Sequence, residues 1–329
     1  MAVILNNNNN PINQLLNKLI KPSKMKKKLV ILTIILSSCT LTKIASVVSN
    51  EKVDPISFKT SIPIQIGKQI YMTTHWGSNK KKEILIFDTG TSFTTSDSST
   101  ASDKELSKLI GKAPFGARTP DGKKIDQVFY STERLSIGIV TFKQVAFMET
   151  SLANFSDAFS ELNEKPVGLF GADLLSKGVW KINFRDSILT FASSIDSLGS
   201  LNGATEIPIH VSLNGSIYLN ADLTNSISQK LMIDFGFGGM ILLPKDIFNN
   251  IDIHHEAVLK DTVSTTLASK SKITKSTLTK QNVMINNKSY TTQMVTFDNS
   301  KMSLIGLKFF KQFDFVVIDY LKKKLYLSK

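Results

Sequence analysis

The sequence predicts an all-β chain built from two similar halves, with few and short helices. Runs rich in Ile, Val, Phe and Thr alternate with Gly, Asn and Lys turns, as in Ile62–Ile66, Gln69–Thr73, Leu135–Val140 and Val179–Phe184. The best helical spacing of apolar residues is confined to two short stretches, Asp103–Ile110 and Asn154–Leu162. The third observation is an internal repeat, which indicates that the two halves share one architecture.

The repeat is collinear over three blocks. Ile62–Ile64 recurs as Ile207–Ile209, Ile70-Tyr71 as Ile217-Tyr218, and Leu85–Asp88 as Leu231–Asp234, at offsets of 145, 147 and 146 residues. A later block repeats as well, because Gly168–Gly171 and Val179–Phe184 resemble Leu304–Gly306 and Phe315–Tyr320. Each half closes on a strand, Ser187–Phe191 or Lys323–Leu327. Matches at a nearly constant offset indicate duplication.

One carboxylate stands at the end of an apolar strand, in the stretch Ile84-Leu-Ile-Phe-Asp-Thr-Gly-Thr-Ser92. Burying the carboxylate of Asp88 is costly unless hydrogen-bond donors surround it. Gly90 permits a tight turn, and nearby N–H groups together with three hydroxyls are expected to satisfy the carboxylate, namely those of Thr89, Thr91 and Ser92. An aspartate that only caps a turn would show the same Asp-Thr-Gly, so the three residues alone are a weak signal.

The stretch resembles the Asp-Thr-Gly-Thr/Ser-Ser signature of pepsin-like and retropepsin-like aspartic peptidases. These enzymes hydrolyse peptide bonds with two aspartates that share a water, one acting as base and the other as acid. The repeat supplies a second aspartate, Asp234. The resemblance covers roughly residues 55 to 329 and implies a bilobal, pepsin-like fold of two retropepsin-type β-barrel lobes. It implies no cofactor and no metal.

The same resemblance implies residues that support the two turns. In the family an apolar-apolar-Gly segment runs beneath each Asp turn, which assigns this role to Gly171 and Gly306, while Gly236 belongs to the second turn itself. The turn signal Pro120-Asp-Gly122, within Pro114–Tyr130, falls where the family has its flap, a hairpin that covers the substrate cleft.

The second turn departs from the family pattern, because it reads Asp234-Phe-Gly-Phe-Gly-Gly239. Phe235 and Phe237 occupy the two positions at which the family has hydroxyls that brace the lobes and bond the carboxylate. Fewer donors favour the protonated acid, so we expect the pair to ionise at higher pH and to work best in weakly acidic to neutral conditions. Two hypotheses remain open: an aspartic endopeptidase with an asymmetric pair, or a degenerate peptidase that binds peptides without cleaving them.

Other classes of function find less support. The chain has no Gly-x-Ser-x-Gly, which argues against a serine hydrolase. His254 and His255 have no spaced set of metal ligands around them. The Lys-rich stretches lack interleaved aromatic residues, so nucleic acid is not an expected partner. The Ser-, Thr- and Lys-rich stretch Asn249–Lys280 is expected to form a long surface excursion.

Residues 25–39 have the order of a secretory signal, with three lysines, the apolar run Leu29–Leu36 and then Ser-Ser-Cys39. Leu36-Ser-Ser-Cys39 resembles the lipobox of bacterial lipoproteins, in which the cysteine is lipidated, and Cys39 is the single cysteine of the chain. An ordinary signal with a chance cysteine is the alternative. Met25 is then favoured over Met1 as the start. Removing residues 1–38 removes six lysines and lowers the net charge from +13 to +7.

The expected organisation follows from these motifs. Residues 1–24 are an untranslated or disordered extension, 25–39 the lipoprotein signal, 40–54 a tether, 55–195 the N-terminal lobe, 196–205 a linker and 206–329 the C-terminal lobe. The expected partners are a peptide or protein substrate and, through lipidated Cys39, a membrane. The protein is expected to be a monomer in the bacterial cell envelope, facing the periplasm or the surface.

Overall fold

The computed structural model describes residues 51–100, 106–110, 117–118, 124–125, 128–153, 159, 162–224, 226–251, 258–266, 269–297 and 300–328, without the side chains of residues 110, 117–118, 124–125 and 258–275. Several expectations lie outside these residues: the extension 1–24, the signal residues 25–39 with Cys39, the turn Pro120–Gly122, most of Asn154–Leu162, and the two histidines His254 and His255.

The described residues of the first half form thirteen strands. They are β1 (Lys52–Asp54), β2 (Lys59–Ile66), β3 (Ile70–Trp76), β4 (Lys81–Phe87), β5 (Thr95–Asp97), β6 (Ser107–Ile110), β7 (Ala117–Arg118), β8 (Lys124–Ile125), β9 (Phe129–Ile137), β10 (Val140–Thr150), β11 (Gly168–Phe170), β12 (Val179–Asn183) and β13 (Ile188–Ala192). A one-turn helix, α1 (Ala172–Leu175), lies between β11 and β12.

The second half begins after a 3₁₀ turn at Ile195–Leu198. Its strands are β14 (Thr205–Pro208), β15 (His210–Val211), β16 (Ile217–Asp222), β17 (Ser228–Asp234), β18 (Ile241–Leu242), β19 (Val258–Thr266), β20 (Ser269–Ile285), β21 (Lys288–Phe297), β22 (Leu304–Gly306), β23 (Phe315–Asp319) and β24 (Lys324–Ser328). Two short helices are α2 (Lys245–Asn250) and α3 (Leu307–Phe310). The protein is therefore all-β, as predicted.

Six strands of the second half close into a barrel. The pairing runs from β16 to β17, β22, β18, β21 and β20, and β20 returns to β16 through Asp222 and Met284. The inward side chains of these strands are apolar and buried, among them Leu219, Leu231 and Val283. Closure leaves this part of the sheet with no open edge and gives the second half its own core.

The first half repeats the same pairings. Strand β4 pairs antiparallel with β3 and parallel with β11, β5 runs parallel to β10, and β9 pairs with both β10 and β3. Between β5 and β11 a side chain takes part, because the Leu169 N–H donates to Thr95 Oγ1 at 2.9 Å. The predicted repeat is thus present in the strand pairing as well as in the sequence.

A continuous run of six strands joins the halves, in the order β2-β13-β12-β23-β24-β14. At its centre β12 and β23 are antiparallel, with Val179 opposite Asp319 and Asn183 opposite Phe315. Since β12 and β23 are equivalent in the repeat, this register relates the halves by an approximate two-fold axis. Trp180 anchors the inner face, where its ring stacks on Phe191 at 3.9 Å between centroids.

Three local predictions are wrong. The helical spacing at Asp103–Ile110 does not give a helix at its end, because Ser107–Ile110 pairs as β6 with β9. Leu135–Val140 is not one strand but the end of β9, a turn at Gly138 with positive φ, and the start of β10. The expected excursion Asn249–Lys280 begins with the last two residues of α2 and then includes much of the long β19–β20 hairpin.

The expected tether also ends earlier than residue 54. Lys52–Asp54 pairs with Lys143–Thr141 of β10, and the side chain of Glu51 is buried. These residues therefore belong to the folded body. Within the described ranges, no helix is long and apolar enough to span a bilayer.

Candidate active site

Asp88 directly follows β4, a strand that has a neighbouring strand on each side. β4 lies between β3 and the parallel strand β11, and its apolar residues Leu85 to Phe87 are buried. The Asp88 N–H donates to the carbonyl of Phe170 at 3.1 Å, which continues the ladder by one residue. The strand therefore fixes the backbone that carries the carboxylate, as its apolar sequence predicts.

Asp234 has the same setting in the second half. β17 lies between β16 and the parallel strand β22, in a register that pairs Ile233 with Ile305 and Asp234 with Gly306. Asp234 is partly exposed, and Asp88 is 9% exposed. Two equivalent strands thus deliver one carboxyl group each to the same level of the fold.

The two carboxyl groups meet. A Cβ placed on Gly90 would lie 2.4 Å from Asp234 Cγ, and one placed on Gly236 would lie 2.7 Å from Asp88 Cγ. The two side chains are also close enough for each to shift the pKa of the other. Each glycine therefore faces the carboxyl group of the other half, and any side chain at either position would force the pair apart.

Backbone N–H groups satisfy the carboxyl oxygens. The Gly90 N–H donates to Asp88 Oδ1 at 2.8 Å, and the nearby N–H groups of Thr91 and Gly236 also lower the pKa of Asp88. Asp234 Oδ1 accepts from the Phe237 N–H at 3.0 Å, and the nearby Gly236 N–H also lowers the pKa of Asp234. Both turns therefore act as small nests of donors around a negative charge.

The predicted hydroxyl donors have other partners, which corrects that part of the sequence prediction. Thr91 Oγ1 donates to the Phe93 carbonyl at 3.2 Å. Ser92 Oγ accepts from Asn214 Nδ2 at 2.9 Å. Thr91 and Ser92 therefore order the loop after the Asp turn. The N–H groups of the same turn are closer to the carboxylate because Gly90 lets the backbone curl around it.

Thr89 braces the two halves instead. Its hydroxyl is fully buried, donates to the Ile233 carbonyl at 2.8 Å and accepts from the Phe235 N–H at 3.1 Å. One side chain thus satisfies two backbone groups on either side of Asp234, across a sequence distance of about 145 residues. This contact fixes the position of one carboxyl group relative to the other.

The reciprocal brace is missing because Phe235 takes the place of the threonine. Its ring is completely buried, stacks on Phe310 at 4.8 Å and meets Phe87 edge-on at 5.8 Å. Aromatic packing across the halves therefore substitutes for a pair of hydrogen bonds. Phe237 packs differently, with its ring over Gly239 and Gly306 and against a small apolar cluster that includes Met232.

Burial and proximity raise the pKa values of both carboxyl groups. Burial raises the pKa of Asp88 above its ordinary value, and its N–H donors and the neighbouring Asp234 side chain partly offset this rise. The pKa of Asp234 lies well above its ordinary value, first because of burial and then because of the negative charge of Asp88. The pair therefore holds one proton to a higher pH than an isolated aspartate would.

The two predicted supporting glycines back the turns. A Cβ on Gly171 would lie 2.5 Å from the Phe93 carbonyl carbon, and one on Gly306 would lie 2.3 Å from the Phe237 oxygen. The Ala172 N–H donates to the Thr91 carbonyl at 2.9 Å, as the Leu307 N–H does to the Phe237 carbonyl at 2.9 Å. The start of each short helix therefore holds the loop that follows each aspartate.

Sequence reasoning missed an acid beside the site, the partly buried Asp173. Its carboxylate accepts from the Thr94 N–H at 2.9 Å and from Thr94 Oγ1 at 2.8 Å, while Thr94 Oγ1 accepts from the Gly171 N–H at 3.1 Å. Burial raises the pKa of Asp173 to about 6. Its signal in the sequence is an acid inside the apolar run Leu169–Leu175. The second half has Lys308 at the corresponding position, so the repeat did not indicate an acid here.

Comparison with known proteins gives no assignment. No protein-family model matches the chain, and no curated protein matches it significantly. Among the described residues, no group of three or more His, Cys, Asp or Glu side chains is arranged to hold a metal ion.

Proposed function

We propose that the protein is an aspartic endopeptidase that hydrolyses peptide bonds with a water held between Asp88 and Asp234. The observation that carries this proposal is the contact of the two carboxyl groups at the ends of equivalent strands, each packed on the glycine of the other turn. Two neighbouring aspartates that keep one proton between them have the chemical state that activates a water by this route.

The strand arrangement supports a bilobal, pepsin-like fold for this enzyme. Each half has the same pairing around its Asp-bearing strand, and the six-stranded run that joins them has two-fold register. A two-lobed molecule with one aspartate in each lobe forms its pair within one chain, so a monomer is sufficient for activity. The short hairpin β7–β8, which lies within the predicted flap segment Pro114–Tyr130, supports a cover over the cleft.

We assign the negative charge to Asp88 and the shared proton to Asp234. Burial and then the negative charge of Asp88 raise the pKa of Asp234 well above its ordinary value, whereas N–H donors partly offset the rise that burial causes at Asp88. Asp88 takes a proton from the water while the water oxygen bonds to the peptide carbonyl carbon. At the same time Asp234 gives its proton to the carbonyl oxygen. In the second step Asp88 protonates the leaving nitrogen, the C–N bond breaks, and Asp234 recovers its proton from a hydroxyl of the tetrahedral intermediate.

A transition-state analogue tests this proposal. A statine-containing peptide of the pepstatin type carries a hydroxyl that mimics the tetrahedral intermediate, so it should inhibit hydrolysis of a peptide library competitively. The matched control is the same peptide with the statine hydroxyl removed, which should inhibit much less. Equal inhibition by both peptides, or hydrolysis that neither one affects, would contradict a two-aspartate mechanism.

A degenerate peptidase is the second candidate, and one observation favours it. The second turn has lost both hydroxyls, so only Thr89 braces the pair. On this hypothesis the cleft retains peptides but activates no water. Wild-type protein that binds statine peptides and cleaves no library member at any pH from acidic to neutral would favour it.

We also propose a membrane anchor at Cys39, in the envelope of a bacterial cell. Lys26–Lys28, the apolar run and Leu36-Ser-Ser-Cys39 support it. Two or more acyl chains are needed for stable attachment, since each buried CH₂ contributes only about 0.8 kcal/mol. Cys39→Ser should release the protein from the membrane fraction or leave it unprocessed. Unchanged incorporation of labelled fatty acid into this variant would refute the anchor.

A further inference from the structure

Three large aliphatic side chains are exposed at one end of the six-stranded sheet. Ile56 is 91% exposed, Ile139 69% and Leu321 55%. Single exposed aliphatic residues are common on protein surfaces, whereas a group of them marks a contact site. These three side chains would form a contact site if they shared one face.

Ile56 and Ile139 lie at the same corner of the fold. Asp54, two residues before Ile56, pairs with Thr141, two residues after Ile139. The Ile139 N–H also approaches Thr60 Oγ1 at 3.4 Å, and Thr60 follows Ile56 by four residues. The turn between β9 and β10 and the segment between β1 and β2 therefore present both side chains together.

Leu321 lies at the same end of the sheet. Lys59, Ala192, Val179 and Asp319 form one row across β2, β13, β12 and β23. Three strand spacings separate the ends of this row, which is about 14 Å. Leu321 follows Asp319 by two residues and Ile56 precedes Lys59 by three, while the turn at Ile139 lies against Thr60. The three aliphatic side chains therefore rim one end of the molecule.

The same end carries exposed lysines. Lys52 stands directly opposite Lys143 in the β1–β10 ladder, and Lys59 begins β2. Asp54 forms an ion pair with Lys143 at 2.6 Å, Asp196 lies 3.7 Å from Lys322, and Asp319 is buried. Like charges directly opposite each other destabilise a strand pair. An anionic surface would offset this repulsion. We call Ile56, Ile139, Leu321, Lys52, Lys59 and Lys143 the basal patch.

We propose that the basal patch rests on the anionic headgroup layer of the membrane in which Cys39 is anchored, an inference that rests on the proposed anchor. Aliphatic side chains flanked by lysines suit such a layer, since the lysines attract anionic lipids and the isoleucines reach the acyl boundary. The 13 residues from Cys39 to Lys52 span at most about 45 Å. The corner with β1 is thus the part of the described fold kept closest to the lipid.

This orientation directs the candidate active site away from the membrane. Thr60, at the start of β2, contacts the turn at Ile139, whereas Ile66, at its end, pairs with Ile70 near the level of Asp88. Six strand residues separate Thr60 from Ile66, which is about 20 Å. The cleft would therefore open toward soluble substrates, and the lipid surface would leave it unobstructed.

Quenching of an introduced tryptophan by brominated lipid tests the proposal. The lipidated full chain is reconstituted in vesicles of phosphatidylglycerol and phosphatidylethanolamine whose acyl chains carry bromine. Native Trp76 and Trp180 are at most 1% exposed and give the baseline. The added fluorescence of Ile139→Trp should be lost in these vesicles. That of Leu213→Trp should remain, because Leu213 is fully exposed beside Asn214, which bonds the loop after Asp88.

Charge reversal provides the second arm. Lys52→Glu with Lys59→Glu should restore the fluorescence of Ile139→Trp, whereas Lys230→Glu with Lys301→Glu, an equal change of net charge elsewhere, should not.

The outcomes separate the patch from the anchor. Two results would show that the anchor holds but that the basal patch is not the lipid contact. In both, the chain floats with the vesicles. In the first the Ile139→Trp variant is unquenched, and in the second the Leu213→Trp variant is quenched equally. A chain that does not float overturns both the anchor and this inference. Peptide hydrolysis is measured separately, so its absence bears only on the peptidase proposal.

Discussion

Phe237 is the counterpart of Thr91 in the repeat, and together with Phe235 it makes the two turns asymmetric. The Phe237 N–H still donates to Asp234 Oδ1, but its ring packs over Gly239 and Gly306. Phe235 is less suitable for substitution because it is fully buried between Phe87 and Phe310. Truncating such a ring costs about 3 to 5 kcal/mol, which would obscure any effect on catalysis.

Phe237→Ser should shift the acidic limb of the pH–rate profile downward by roughly one to two pH units, because one added hydrogen bond to a charged group is worth about 1.5 to 3 kcal/mol. Activity requires one ionised carboxyl, and a donor to that carboxylate lowers the pKa of the pair, so activity persists to lower pH. Profiles of peptide hydrolysis between acidic and neutral pH measure the shift.

The matched control is Phe237→Ala, which removes the ring but adds no hydroxyl. Its acidic limb should stay with that of the wild type. If the serine and alanine variants shift equally, the change comes from the lost ring rather than from a new hydrogen bond, and the explanation of the asymmetry is wrong.

At the scale of the elements, the two parallel strands β11 and β22 and the short helices after them hold the turns in place. Gly171 and Gly306 sit where any side chain would meet backbone atoms at 2.5 and 2.3 Å. These contacts involve main-chain atoms of the loops that follow Asp88 and Asp234, so neither partner is able to move aside by changing a rotamer.

Gly171→Ala and Gly306→Ala should each destabilise the protein by about 1 to 3 kcal/mol, the range for overpacking a filled site, and reduce hydrolysis further by displacing a turn. Denaturant unfolding and kcat measure the two effects. Gly67→Ala is the control, since its Cβ would meet only Tyr71 at 3.6 Å and its φ is not positive. A loss of stability for Gly67→Ala equal to that of the other two variants would contradict the argument from close contact.

Elements with strong periodicity were predictable from sequence, and those decided by tertiary pairing were not. Ile62–Ile66 and Val179–Phe184 became β2 and β12 within two or three residues at each end. By contrast, Leu106, Leu109 and Ile110 have helical spacing, yet residues 107–110 pair with β9 because an available strand edge outweighs four residues of weak helix preference.

The sequence repeat predicted the two aspartates of the candidate site but not the contacts around them. Asp88 and Asp234 followed from matched motifs, and each carboxyl group lies against the glycine of the other turn. The roles of individual hydroxyls did not follow, because the choice between a carboxylate and a nearby carbonyl depends on small differences in backbone position. Asp173 was missed since its partner, Thr94, is 79 residues away and the second half has no equivalent acid.

At the scale of the whole molecule, the first residue that the structure describes, Glu51, is a buried acid. The Glu51 side chain is 1% exposed and lies 3.5 Å from Lys177, and its Oε1 accepts from the Ala146 N–H at 3.4 Å. Burial, with the charge of Asp173, raises the pKa of Glu51 from 4.5 to about 7, although Lys177 and Ala146 act in the opposite direction. The folded state therefore binds this proton more tightly than the unfolded state.

The free energy of unfolding should consequently fall as pH rises from about 4.5 to about 7, by roughly 3 kcal/mol from this group, and level off above that range. Glu51→Gln keeps the amide acceptor for Ala146 and cannot ionise, so its stability should depend less on pH. Denaturant unfolding at several pH values measures both slopes. Parallel curves for the variant and the wild type would show that Glu51 is not the titrating group.

The most direct test of the peptidase proposal is the hydrolysis of a peptide library, followed by mass spectrometry, for wild type, Asp88→Asn and Asp234→Asn. Asp222→Asn, the same change on the exposed part of β16, is the control. Both dyad variants should lose activity by on the order of 10³-fold while unfolding at wild-type temperatures, and the control should keep full activity. An Asp234→Asn protein that retains most of its activity would contradict the paired mechanism.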